Sequence, residues 1–183
     1  MAFPTDDLSS YSDGDLNTLN GGSGWGGAWA FGSGVISVET GTLSGANSKR
    51  LTSAEESYYR RALSNTTNGL EFSFWMQSST NNVYHPTFML AIAGDQDHIN
   101  VRFASNGKFS TFDNTTEVFS TTSTAVDTAY LFTVMPIDYT NGTETWKVKT
   151  SGIDWGNGVG AYSNDLKMRA YTTLDHSVGS LLL

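Results

Sequence analysis

A two-residue alternation of apolar and polar side chains is the feature that most constrains how this chain folds. In residues 70–77 the apolar side chains share one face of an extended segment: Leu70, Phe72, Phe74 and Met76. Trp75 lies among the polar side chains of the other face. Residues 88–92 and 99–103 repeat the pattern, and in residues 145–149 it predicts Trp146 and Val148 facing in and Lys147 and Lys149 facing out. Because successive side chains of a strand point to opposite faces, this period predicts half-buried β-strands.

Turn signals separate these segments. Asn106-Gly107 predicts a hairpin before residues 108–112, and residues 94–97 are predicted as a turn. Residues 130–137 are apolar on both faces, which predicts a central strand, and residues 166–171 are predicted as the last strand. No segment of useful length has a helical period. The pattern predicts an all-β, two-sheet antiparallel β-sandwich (a jelly roll) as a single domain over residues 1–183.

Composition and charge narrow the classes of partner. The 183 residues include no cysteine, so disulfides and thiolate metal sites are excluded. The formal net charge of −8 disfavours a nucleic-acid partner, and no apolar run approaches the roughly 20 residues of a membrane span. No secretory signal is visible at the start. Two explanations stay open: a protein released without a signal, as a virion protein is by host lysis, or a signal that was removed.

Residues 20–29 are rich in glycine and also contain Trp25 and Trp29. Glycine permits backbone conformations with positive φ, whereas a flexible linker has no use for two indole rings. We therefore predict an ordered loop that its tryptophans hold in place.

A recognisable order of features runs along the chain in residues 11–16, 24–29, 59–63, 70–76, 130–134, 138–139, 146–148 and 164–169. These segments resemble laminin-G-like domains of the concanavalin A-like lectin/glucanase superfamily. The last of these is similar to the closing strand that packs back against the first strand in that group. The resemblance covers nearly the whole chain and implies a jelly-roll fold. It also implies binding of glycans or proteins, since such domains mostly bind and only some are glycosidases or lyases.

The catalytic patterns of that superfamily are missing. Its retaining glycosidases carry E-x-D-x-x-E on one strand, but here Glu71 is followed by Phe72 and Ser73. Its lyases combine an arginine-rich strand, a Gln-x-His pair and a catalytic tyrosine, and here Arg60-Arg61 and His85 occur without the pattern that would join them. We therefore predict that the protein is not an enzyme.

Glycan binding has better candidates, namely Trp75, Tyr84, His85, Asn100 and Arg102. The indole of Trp75 would stack on a sugar ring. Asn100 and Arg102 share the predicted solvent side of their strand, and Tyr84 and His85 lie in the preceding loop. These groups line one concave face if the strands of Trp75 and Asn100 belong to the same sheet. In the competing interpretation Trp75 only covers its sheet.

Two further groups of residues are candidates for a metal and for assembly. Asp95 and Asp97 offer oxygen ligands for calcium, although aspartate also favours turns for its own hydrogen bonding. No other cofactor is predicted. The tail residues Leu181, Leu182 and Leu183 need cover, either against a partner or on the chain's own sheet.

These observations lead to a ranked hypothesis. The first is a non-catalytic virion structural protein that decorates a capsid or tail, working through contacts with other virion proteins or itself and with polysaccharide. It would lie on the virion surface. The alternative is a secreted or surface lectin-like carbohydrate-binding module, and a polysaccharide-degrading enzyme comes third. None of the three requires nucleic acid or a membrane.

Overall fold

The alternating segments of the sequence form β-strands in a computed structural model of the protein. The structure describes residues 5–41, 49–53, 58–62, 71–80, 87–92, 96–138, 145–168 and 180–182. These ranges contain no helix, and hence none that is long and apolar enough to cross a membrane. The prediction of an all-β chain is confirmed.

Fourteen strands lie in the described ranges. The first seven are β1 (Gly14–Asp15), β2 (Ala30–Ser33), β3 (Ser37–Thr40), β4 (Lys49–Thr52), β5 (Tyr58–Ala62), β6 (Phe72–Met76) and β7 (Thr87–Ile92). The second seven are β8 (Gln96–Phe103), β9 (Lys108–Asp113), β10 (Thr116–Ser123), β11 (Tyr130–Asp138), β12 (Thr145–Thr150), β13 (Leu166–Lys167) and β14 (Ser180–Leu182). The predicted alternation of residues 70–77 therefore corresponds to β6.

The strands form three antiparallel sheets. A small sheet has the order β1-β3-β4, a seven-stranded sheet the order β10-β9-β8-β7-β14-β5-β2, and a four-stranded sheet the order β13-β12-β11-β6. β11 lies between β12 and β6, which confirms the prediction of a central strand for its apolar sequence.

Aromatic side chains join the two larger sheets face to face. Phe109 of the seven-stranded sheet meets Tyr130 and Phe132 of the four-stranded sheet edge-on, with ring centroids 5.0 and 4.7 Å apart. Phe132 also stacks on Phe74, at 5.4 Å between centroids. Rings at these distances add attraction to the burial of their apolar surface. The antiparallel β-sandwich is thus confirmed, whereas jelly-roll connectivity remains a prediction.

The hairpin between β8 and β9 forms at the predicted turn. Gly107 has a φ of 71°, a conformation that side chains with a Cβ rarely adopt. Its N–H donates to the carbonyl of Ala104 at 3.1 Å, and Asn106 Oδ1 accepts from the N–H of Lys108 at 3.1 Å. The Asn-Gly pair therefore supplies both the unusual backbone conformation and an extra acceptor for the turn.

Arg61 of β5 holds the glycine-rich segment before β2 in place. Its side chain is 1% exposed and forms an ion pair with Asp6. Its guanidinium carbon lies 4.7 Å from the ring centroid of Trp25 and 5.5 Å from that of Trp29. The tryptophans thus pack against the body of the domain, as the prediction of a loop held by its indole rings requires, and the contacts add a cation that the sequence pattern did not reveal.

Two boundaries differ from the sequence prediction. Asp97 was expected in a turn, but it lies on β8 and pairs with Ala91 of β7. The strand expected over residues 166–171 is described only as β13, and β14 follows it in the chain. Within the described residues, β13 pairs with β12 rather than with the first strand of the chain. The sequence pattern therefore predicted that strands lie in these parts of the chain but did not predict the residues at which they begin and end.

The tail strand β14 lies inside the seven-stranded sheet. Leu181 pairs with Arg61 of β5 on one side and with Leu90 of β7 on the other, and Leu182 pairs with Arg60 and Met89. Both edges of the strand's backbone are thus used within the chain. The side chains of Leu181 and Leu182 and the whole of Leu183 lie outside what the structure describes, so the assembly role of these leucines stays a prediction.

Candidate functional site

The outer face of the four-stranded sheet carries the most varied chemistry among the described residues. Tyr130, Phe132 and Val134 point into the sandwich and are buried. The alternate residues therefore point away from it and form the outer face: Ser73 and Trp75 of β6, Leu131, Thr133 and Met135 of β11, and Lys147 and Lys149 of β12.

Strand register arranges this outer face in rows. Thr133 pairs with Lys149 on one side and with Ser73 on the other, and the hydroxyls of Ser73 and Thr133 lie 3.0 Å apart. In the adjoining row Leu131 pairs with Trp75, whose side chain is partly exposed. Side chains directly opposite each other on neighbouring strands are in contact range. The indole, the hydroxyl pair and an ammonium group thus occupy adjacent positions.

Tyr162 reaches the same face from the segment between β12 and β13. Its hydroxyl donates to Glu71 Oε1 at 2.5 Å. The Nζ atoms of Lys149 and Lys147 lie 4.5 and 5.3 Å from the centroid of its ring. One tyrosine therefore connects the carboxylate that precedes β6 with both lysines of β12, and it spans the sheet between them.

The segment that presents Tyr162 is anchored at several points. Asp154 Oδ1 accepts from the N–H groups of Gly156 at 2.6 Å and Gly158 at 2.9 Å. The buried indole of Trp155 donates to Thr150 Oγ1 at 3.1 Å. Ser163, next to the tyrosine, donates its N–H to the carbonyl of Val148 at 2.7 Å. These bonds fix the position of the ring before any ligand arrives.

Burial, and then the hydrogen bond to Glu71, raise the pKa of Tyr162 well above its usual value near 10. The phenol is therefore protonated at neutral pH. A group in this state donates hydrogen bonds and stacks on a ligand, but it does not serve as a general base at neutral pH.

The raised pKa of Tyr162 gives a testable dependence of stability on pH. The unfolded tyrosine ionises near pH 10, whereas the folded one keeps its proton to higher pH. Its contribution to stability is complete below about pH 10 and is lost as the pH rises through the folded pKa. We expect the unfolding free energy of Tyr162→Phe to fall less steeply than that of wild type between about pH 9.5 and 11. Urea unfolding at several pH values checks this, and equal slopes would contradict it.

The structure separates the predicted glycan-binding residues. Trp75 lies on the outer face of the four-stranded sheet, as its place in the alternation predicted. Asn100 and Arg102 lie on β8 of the seven-stranded sheet, so the condition for one face shared with Trp75, namely that both strands belong to the same sheet, is not met. Asn100 is also 4% exposed rather than on the solvent side. β8 is an interior strand, and Ser110 on the same side of the sheet is buried with it.

Arg102 is engaged in contacts within its own sheet. Its Nη2 lies 3.0 Å from Glu117 Oε1, its Nε donates to Ser110 Oγ at 3.2 Å, and its guanidinium covers the ring of Phe112 at 5.0 Å. These contacts tie β8, β9 and β10 together. They give the side chain a structural role that the sequence pattern did not distinguish from ligand binding.

The structure does not describe the remaining predicted site residues in full. Tyr84, His85 and Asp95 lie outside the described residues, and the side chain of Asp97 does too. In the ranges that are described, no group of three or more His, Cys, Asp or Glu residues is placed to hold a metal ion. Calcium binding by Asp95 and Asp97 stays a prediction.

Sequence reasoning identified part of this site and missed part of it. The alternation of Trp146 and Val148 with Lys147 and Lys149 correctly predicted that the lysines face outward. Tyr162 was missed, because it lies in a segment without periodicity. Its only signal was a tyrosine close to several turn glycines, which does not specify a sheet face.

Comparisons with known proteins do not identify a family. No family model matches the chain, and neither a curated protein nor a solved structure shows significant similarity to it. The resemblance to the concanavalin A-like superfamily therefore stays a prediction from the sequence motifs.

Proposed function

We propose that the protein is a non-catalytic binding module that takes up a polysaccharide on the outer face of its four-stranded sheet. The observation that carries this proposal is the convergence of Trp75, the exposed hydroxyl of Ser73 and Tyr162 with its lysines on one side of one sheet. The hydroxyl of Thr133 is buried and serves to position that of Ser73.

The chemistry of these groups suits a sugar. A pyranose ring has apolar C–H faces and a rim of hydroxyls. A partly exposed indole offers an apolar surface for the ring face, as Trp75 does here. Hydroxyl, ammonium and carboxylate groups pair with the rim, because a sugar hydroxyl both donates and accepts hydrogen bonds.

The carboxylate geometry supports binding rather than bond cleavage. Glycoside hydrolysis ordinarily uses two carboxyl groups about 5–9.5 Å apart. Glu71 is engaged by the hydroxyl of Tyr162, and the outer positions of β11 and β12 nearest to it carry Met135 and Lys147. In this row of the described sheet, Glu71 therefore has no second carboxyl group beside it of the kind that glycoside hydrolysis requires.

The biological setting of this module is a separate proposal. A decoration protein on a capsid or tail and a secreted or surface lectin-like module would use the same sheet face. The virion surface is the first location proposed, with an extracellular one as the alternative. Electron microscopy of particles labelled by an antibody against the protein would distinguish the two.

We expect Trp75→Ala to weaken polysaccharide binding about tenfold or more, because aromatic anchors at the centre of an interface carry much of its energy. The melting temperature should change little, since the side chain is partly exposed. A glycan array read with and without calcium identifies the ligand, and titration calorimetry then compares the two proteins.

Phe119→Ala is the matched control, because it removes an aromatic ring that is 36% exposed on the seven-stranded sheet. This variant should bind as wild type does. Unchanged affinity in a folded Trp75→Ala protein would overturn the proposed site. Binding that requires calcium would direct attention to Asp95 and Asp97 instead.

A further inference from the structure

We infer that the ligand of the outer face is an acidic polysaccharide of the uronic acid kind, a step that rests on the proposed function. Carboxylates of the bound stretch of polymer would lie near Lys147 and Lys149, while the face of one of its sugar rings contacts Trp75. The inference follows from how cations are distributed over the molecule.

Four of the six other lysines and arginines whose side chains the structure describes are paired with carboxylates, whereas Lys108 and Lys167 form no such pair in the described residues. Lys49 pairs with Asp13, Arg50 with Glu39, Arg61 with Asp6 and Arg102 with Glu117. Lys147 and Lys149 form no ion pair with a carboxylate in the described residues, and the contact that the structure gives them is the ring of Tyr162.

Among the described residues, Glu71 is the carboxylate that Tyr162 engages on this face. Glu71 accepts the hydroxyl of Tyr162, which places the tyrosine ring between the carboxylate and the β12 strand. The ring attracts both ammonium groups through its face. Two cations are thus held on one side of the sheet with their charge available to a ligand.

This local positive charge stands out on an acidic protein. The net charge of −8 repels every polyanion at long range, and it does so most strongly for highly sulfated glycans with more than one charge per sugar, so the local pair of lysines has to supply the attraction. Two lysines, which are two residues apart and on one face of β12, match a polymer with one charge per sugar ring. A hexuronate also keeps the apolar ring face that Trp75 would contact.

The test compares two forms of one polymer, polygalacturonate and its fully methyl-esterified form. Esterification removes the carboxylate charge and keeps the sugar backbone. At about 50 mM salt we expect wild type to bind the acid form about tenfold more tightly, and raising the salt to about 500 mM should reduce that difference. The double variant Lys147→Gln/Lys149→Gln should bind both forms equally.

Three controls make the outcomes distinguishable. Lys108→Gln removes one positive charge from β9 in the other sheet and should leave the preference intact. Trp75→Ala should weaken both forms and tests the proposed face itself. Melting curves confirm that each variant is folded.

The results separate the two proposals. Equal binding of both polymer forms by wild type, with loss of both in Trp75→Ala, would overturn the acidic ligand and leave the binding face standing. A preference that persists in the double lysine variant would also overturn this inference. Competition by single-stranded DNA or dextran sulfate as strong as that by polygalacturonate would show a general polyanion site instead. Failure to bind any saccharide would overturn both proposals.

Discussion

Replacing Arg61 with methionine should lower the free energy of unfolding by about 3–5 kcal/mol, because removal of one partner leaves the other charge of a buried ion pair uncompensated. The side chains of Arg61 and Asp6 are only 1% and 5% exposed. Methionine keeps much of the volume but provides no hydrogen-bond donors.

The loss extends beyond the ion pair. Arg61 also donates to the carbonyls of Gly27 at 2.9 Å and Gly21 at 2.6 Å, and to Asn20 Oδ1 at 3.0 Å. These acceptors would need water or new donors in the variant. The segment before β2 should therefore loosen. Relative to wild type, the rate of amide hydrogen exchange should rise more in residues 16–29 than in β11 or β12.

Urea unfolding measures the stability change, and Arg50→Met is its matched control. Arg50 pairs with Glu39, but the two side chains are 40% and 46% exposed. Exposed ion pairs contribute little, so we expect a change below about 1 kcal/mol there. Equal effects of the two substitutions would show that Arg61 does not hold the N-terminal segment.

Phe132→Ala should destabilise the protein by about 3–5 kcal/mol, the range typical of removing a buried aromatic ring. Phe132 is fully buried, stacks on Phe74 within its own sheet and meets Phe109 of the other sheet. Its removal creates a cavity at the junction of the layers, and the rigid strands around it limit collapse. The same urea experiment measures the effect.

The exposed Phe119 provides the comparison for this substitution too. Phe119→Ala, at a ring that is 36% exposed, should cost far less, on the order of 1 kcal/mol or below. A loss at Phe132 no larger than that at Phe119 would argue against face-to-face packing of the two sheets. Near-ultraviolet circular dichroism would show whether the aromatic core has loosened.

The sequence predicted the sandwich that Phe132 stabilises, but it did not predict the buried contacts of Arg61. The alternation around Phe72 and Phe74, the apolar run that became β11 and the Asn106-Gly107 turn were sufficient for the all-β sandwich. Each is a local signal, since it depends on neighbouring side chains or on the backbone conformation that one residue permits. The outward direction of Trp75 and the two lysines followed from the same alternation.

The neighbours of each strand were not predictable in this way. Asn100 and Trp75 are each on the face of their strand that points away from its apolar side chains, yet the two strands belong to different sheets. Alternation indicates which side chains share a side of one strand, but it does not indicate which strands lie beside it or what covers the second side. For that reason Asn100 is buried, although its position in the sequence suggested exposure.

The sequence by itself determined the strand character of the chain, its main turns and the outward set of side chains on β6 and β12. Tertiary structure alone decided the central position of β14, the burial of Arg61 beneath the glycine-rich segment and the placement of Tyr162 across the outer face. The physical reason is range: side-chain direction is set by the residues on either side, whereas Arg61 and Asn20 are 41 residues apart, Tyr162 and Glu71 are 91 apart, and β14 pairs with a strand still farther away in the chain. Such contacts exist only after the sheets have assembled.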